Sequence, residues 1–350
     1  MPLTDRRDTN MLPNTKRAIE LDYAKGIGIF LVVFRHVMIL QNDYTETERL
    51  LANCINAFTM PLFLIISGLI IGMRATDIEI GKTARRRLLP YLCWSIVYIM
   101  CNLFDNPEWM SDTLERGYAC LSGRGIAPLW FLFALFLAEM FSELLLRSLK
   151  RFALPYEVSI AVEAGLFLLL SELAFVLFNR IPSAETIAEK LVEYPLITVV
   201  RAFPSAFFFC IGRGAGRYWS KIREHGWIIM AVSLVLFAAV QGITRNSTNM
   251  HRFEFDSMLA FAVTGVSGTF ATIGLCCILP RNLKILERAG KGALDIMVLH
   301  YPPLPIYKLL YLGALTVGLE RSHLLLTIFV FAACYMIHWY IMEKVRAHFA

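Results

Sequence analysis

The chain has eight cysteines but no CxxC pair, and no Cys/His grouping at metal-ligand spacing. This leaves no sequence sign of a structural zinc site, a thioredoxin-like redox motif or a bound metal. Cys54, Cys93, Cys101, Cys210, Cys276, Cys277 and Cys334 fall in apolar segments and Cys120 in a loop, so they read as small hydrophobes. There is no repeat of solenoid length and no low-complexity stretch, which argues against repeat arrays and disordered tracts. The longest loops, about 105–127 and 179–194, are too short to hold a soluble domain. Charge is also scarce within the long apolar blocks. Net charge is +6, but the basic residues are dealt out among short loops, which argues against a nucleic-acid partner.

What is present in excess is apolar residue. Of 350 residues, 57% are hydrophobic, with mean hydropathy +0.56. The blocks predict an all-α integral membrane protein, since a bilayer crossing needs roughly 20 apolar residues. Ten spans are expected, at about 26–41, 53–73, 88–104, 128–146, 153–178, 195–213, 226–243, 257–279, 293–316 and 322–343. Under this reading residues 1–25 are a polar cytosolic lead-in, 26–343 one transmembrane domain and 344–350 a short cytosolic tail. The lead-in is too long and acidic for a signal-peptide n-region, so the first span serves as an uncleaved anchor. With both termini cytosolic, 23 basic residues fall in inside segments and 8 in outside loops. That asymmetry sets the orientation. The lipid bilayer is the expected surrounding and the plasma (inner) membrane the expected location. No protein partner is predicted.

Ionisable residues at bilayer depth are functional candidates because burying them is costly. They are Arg35, His36, Glu139, Glu163, Glu172, Arg201, His300, Lys308 and His338. Lys25 and His36 are eleven residues apart, which is three helical turns, so both project from one face. At 1.5 Å per residue His36 lies roughly 16 Å deeper than Lys25. Asp22 falls within about 40° of the same face. A neutral imidazole in the membrane is suited to general-base work. The same spacing also fits a snorkelling lysine and a histidine bonded to a neighbouring helix.

Arg85, Arg86 and Arg87 in "KTARRRLLPY" abut the third span on the cytosolic side. They suit either a phosphate clamp or topological signalling with anionic lipid. Ser67, before Gly68, sits where small residues serve close helix packing. Trp130 sits near the outer interface, where aromatic belts occur. His300 follows Asp295 by five residues and is expected to bond a neighbouring carbonyl, and Glu172 and Arg201 are candidates for pairing across helices.

Several fragments together resemble acyltransferase family 3, the membrane acyltransferases that modify bacterial glycans. "LDYAKGIGIFLVVFRH" is similar to the family's opening, in which an Arg or Lys precedes a His by ten intervening residues. "MPLFLIISGLIIG", "ARRRLLPYLCW", "PLWFLFALF", "FPSAFFFCIGRGAGRYW" and "AGKGALDIMVLHYPP" resemble its later elements, in family order. The likeness is nearest the stand-alone sugar O-acetylase branch, which includes fucose 4-O-acetylase-like proteins. Two features stand apart: Lys at position 25 where Arg also occurs, and Arg35 directly before the histidine.

The resemblance implies an O-acyltransferase, an enzyme transferring groups other than amino-acyl groups. Acetyl-CoA would be the cosubstrate, with no metal, and a sugar hydroxyl of a cell-surface or lipid-linked glycan the acceptor. His36, with Asp22, would be catalytic, with Lys25 and Arg85 to Arg87 on the CoA phosphates. Ser67, Trp130 and His300 would serve the acceptor or support the base. A multi-helix transporter of glycan intermediates is the alternative that composition equally allows.

Overall fold

The computed structural model describes residues 17–41, 45–103, 109–180, 184, 186–301, 304–316, 318, 322–342 and 344. Residues 1–16 of the expected lead-in and 345–350 of the expected tail lie outside the described residues. The fold is helical: α1 (Ile19–Gln41), α2 (Glu46–Arg74), α3 (Ile80–Leu103), α4 (Trp109–Leu121), α5 (Trp130–Leu149), α6 (Tyr156–Phe178), α7 (Ile187–Gly216), α8 (Trp219–Glu224), α9 (Gly226–Thr244), α10 (Met258–Ile278), α11 (Lys284–Lys291), α12 (Ala293–Leu299), α13 (Pro305–Thr316) and α14 (His323–Ile337). Between α9 and α10 lies a small antiparallel hairpin, β1 (Thr248–Asn249) with β2 (Glu254–Phe255).

Seven helices among the described residues are long and apolar enough to cross a bilayer: α2, α5 with its flanking turns, α6, α7, α9, α10 and α14. This is a multi-pass membrane protein. The expected ninth span, 293–316, is not one helix. It divides into α12 and α13 around "HYPP", where Pro302 and Pro303 lack the N–H that a continuing helix needs. Helix α12 ends at Leu299 with His300 as its C-cap. The third helix begins at Ile80, before the expected 88, so Arg85 to Arg87 are helical rather than a loop. Helix α7 begins at Ile187, before the expected 195, behind a capping box of Thr186 and Glu189.

The centre of the bundle is the pairing of α2 with α7. Gly68 and Gly72 of α2 face Gly212 and Gly216 of α7, and a Cβ on any of the four would collide with the opposing backbone. Small residues four apart let two membrane helices approach this closely. Helix α1 packs along α2, α11, α12 and α14. The Tyr23 hydroxyl donates to the Pro280 carbonyl (3.2 Å) and accepts from the Leu283 N–H (3.1 Å), pinning the turn before α11 to the start of α1.

Candidate active site

Helix α1 carries Lys25 and His36 on one face, as their spacing requires. At the Lys25 end, Asp22 Oδ1 lies 2.7 Å from Lys25 Nζ and its Oδ2 2.6 Å from Arg17 Nε. Burial pushes the Asp22 carboxyl up, but the hydrogen bonds and charges of Arg17 and Lys25 outweigh it and hold it below the ordinary carboxylate value. Asp22 lies at the Lys25 end of the shared face rather than beside His36. Fourteen residues of helix, about 21 Å, separate them. Its carboxylate anchors Lys25 instead.

His36 meets a second histidine from the far end of the sequence. Its Nδ1 is 2.9 Å from Nε2 of His300, and the two ring centroids are 4.9 Å apart. His300 Nδ1 in turn lies 2.9 Å from the Ile296 carbonyl, one turn back on α12. A carbonyl only accepts, so Nδ1 of His300 carries the hydrogen and its Nε2 the lone pair. Nδ1–H of His36 must then donate to His300, which leaves the lone pair of His36 on Nε2. His300 is buried and His36 half-buried. The Tyr98 hydroxyl donates to the Val298 carbonyl at 2.8 Å and its ring lies 5.0 Å from Tyr301, holding this end of α12 against α3. The expected carbonyl bond of His300 is present, and the tie to His36 comes in addition.

Beyond the histidine pair lies a second group of polar residues. Trp130 opens α5 and is almost wholly buried, so it is not an interfacial belt residue. The loop before it turns through Gly123 and Gly125, both in the left-handed region (φ 75° and 77°), where glycine carries no Cβ penalty. The Arg201 guanidinium stacks over the Trp130 ring at 4.7 Å. It donates to the carbonyls of Gly123 (3.0 Å), Arg124 (3.3 Å) and His251 (3.2 Å). The suggested pairing of Arg201 with Glu172 is thus absent, because Arg201 turns toward this loop. Arg124 donates to the His251 carbonyl (3.2 Å) and to its Nε2. The His251 ring lies 5.7 Å from Trp130. Burial, then the charges of Arg124 and Arg201, push the His251 imidazole well below its ordinary value, and His36 is near enough to act on it too. His251 sits in a loop of unremarkable sequence and was not a candidate. Only the folding of the hairpin inward places it here.

The arginine run is divided. Arg87 forks onto the buried Glu139 of α5, with Nη2–Oε1 2.6 Å and Nε–Oε2 3.3 Å, and Arg86 lies 3.6 Å from the same carboxylate. Arg87 is thereby committed to structure rather than free as a phosphate ligand. Arg85 and Arg86 remain exposed. Ser67 is half-buried beside Gly68 and makes no hydrogen bond to the histidine pair. Asp295 pairs with His338 at 2.7 Å instead of serving His300. No group of three metal-ligating side chains comes together among the described residues.

The helical membrane bundle thus holds an imidazole lone pair oriented by a second histidine. The family can be named from comparison. The acyltransferase domain model of acyltransferase family 3 matches residues 19–343, and the chain belongs to that family. No curated protein matches the chain.

Proposed function

We propose that the protein is a membrane O-acetyltransferase that moves an acetyl group from cytosolic acetyl-CoA to a hydroxyl of a cell-surface or lipid-linked glycan. The family supplies acyl transfer in the bilayer. The observation that carries the mechanism is the chain Ile296 carbonyl, His300, His36, which leaves His36 Nε2 as the acceptor of a proton. His36 Nε2 takes the proton of the acceptor hydroxyl as its oxygen attacks the thioester carbonyl. The C–O bond forms, the C–S bond breaks on collapse, and the CoA thiolate leaves with the proton that His36 took.

The donor phosphates belong at the Lys25 end, with Lys25, Arg85 and Arg86 as their cations. Asp22 holds Lys25 and Arg17 together and leaves that group net positive. Arg87 keeps α3 on α5 through Glu139. The basic-residue asymmetry, 23 in the expected inside segments against 8 in the outside loops, supports this end as the acetyl-CoA side. The test is thiol release from acetyl-CoA by the purified protein, with and without a glycan acceptor. Acceptor-dependent thiol release with acetyl appearing on the glycan is expected. Absence of release, together with flux of a glycan lipid across proteoliposomes, would replace the reading with the transporter alternative.

A further inference from the structure

Arg201 is the largest fully buried side chain among the described residues, with 0% exposure. Deep guanidinium groups elsewhere in the bundle meet carboxylates: Arg213 lies 2.9 Å from Glu143 and Arg87 2.6 Å from Glu139. Arg201 meets none among the described residues. Its N–H groups go to three neutral carbonyls, and its Nε is buried with no partner. Arg124, half-buried beside it, repeats the pattern. Among the described residues it donates hydrogen bonds to His251 alone and stacks over the Tyr194 ring at 5.7 Å, and its Nε is also buried and unclaimed. Glu193 and Glu254 act on Arg124 from a distance, but neither forms an ion pair with it. Two like charges therefore lie together in the low-dielectric interior without a counter-ion among the described residues, an arrangement that is unfavourable until an anion arrives.

The two arginines neighbour the histidine pair through His251. His251 touches Arg124 and Arg201 and lies within electrostatic reach of His36. Neutral carbonyls are weaker partners for a guanidinium than carboxylate or phosphate oxygens, and an arginine fork matches either anion. We propose that Arg201 and Arg124 form an anion subsite for the acceptor, which carries a carboxylate or a phosphate ester close to the hydroxyl that is acylated. The proposal rests on the acyl-transfer reading for its meaning, but anion binding itself requires no turnover.

The test is calorimetric binding to the purified full chain in nanodiscs, without acetyl-CoA. Two matched pairs of probes separate the sources of negative charge: methyl glucuronide against methyl glucoside, and farnesyl phosphate against farnesol. In at least one pair the anionic member is expected to bind about tenfold or more tightly, as a desolvated charge pair warrants. The pair that discriminates identifies carboxylate or phosphate. Arg124→Gln should bring that ratio towards one, and Arg201→Lys should retain part of it. If Arg201 variants fail to fold, the half-exposed Arg124 decides. Ratios within about twofold in both pairs for the wild type would overturn the proposal, as would a ratio that survives Arg124→Gln in protein of unchanged melting temperature. Discrimination by a protein that releases no thiol with any acceptor would retain the anion site and remove the acyl-transfer reading.

Discussion

The half of the bundle around Lys25 and the half around Trp130 treat positive charge in opposite ways. Near Lys25, cations face buried carboxylates: Asp22 holds Lys25 and Arg17, Glu139 holds Arg87, and Glu143 lies between Arg213 at 2.9 Å and Arg147 at 2.8 Å. Near Trp130, Arg124 and Arg201 face carbonyls, an indole and a histidine that can only accept from them. The first arrangement is complete by itself. Each of its carboxylates is paired within the fold, and Glu139 and Glu143 lock α3, α5 and α7 together. The second leaves both Nε–H groups without an acceptor and both guanidinium groups without a carboxylate among the described residues. The difference separates cations that the fold's own carboxylates hold from cations that meet no carboxylate among the described residues.

The largest expected effect is at the boundary between the halves. His36→Ala should lower turnover by about two to four orders of magnitude, the usual worth of a positioned base. Expression should persist, because alanine is easier to bury than histidine. His300→Ala should cost less, about tenfold to a hundredfold, since it removes the group that fixes the ring orientation and leaves Nε2 of His36 in place. Steady-state thiol release measures both. A folded His36→Ala protein with near wild-type turnover would leave the histidine pair as packing alone.

Next in size is the structural half. Glu143→Ala strands the buried Arg213, and breaking a buried pair from one side costs about 3–5 kcal/mol. Thermal unfolding in detergent should show a marked fall in melting temperature. An unchanged melting temperature would remove the contrast between the halves, since the ion-paired end would then be no more self-sufficient than the other.

The smallest effect concerns Lys25. Lys25→Ala should raise the acetyl-CoA requirement with little change in acceptor requirement, and Lys25→Arg should keep activity. Because the folded Asp22 carboxyl titrates below its ordinary value, its tie to Lys25 and Arg17 is complete above the ordinary carboxylate range. The tie is lost as pH falls through the lowered value. A donor KM that is flat from neutral pH into the mildly acidic range, and rises only below it, is expected. A rise already near neutral pH would mean that Asp22 is not held by these cations.

Much of this protein was legible in the sequence because its signals are local. Apolar blocks of bilayer length, the eleven-residue interval from Lys25 to His36 and the ordered family fragments all follow from short-range pattern and helical geometry. What the sequence alone determined is a helical membrane acyltransferase with one cation and one imidazole on a shared face. Tertiary structure decided the partners. His300 stands 264 positions from His36, and no pattern along the chain marks that pair until α12 ends against α1. Arg87 turns to Glu139 while Arg85 faces outward, a matter of how α3 is rotated on α5. His251 reaches the two arginines only because a short hairpin folds inward. The carbonyls that hold Arg201 belong to the backbone, which every residue has, so no choice of side chain announces them. Spacing fixes which residues share a helix face, but the packing of distant helices decides what that face meets.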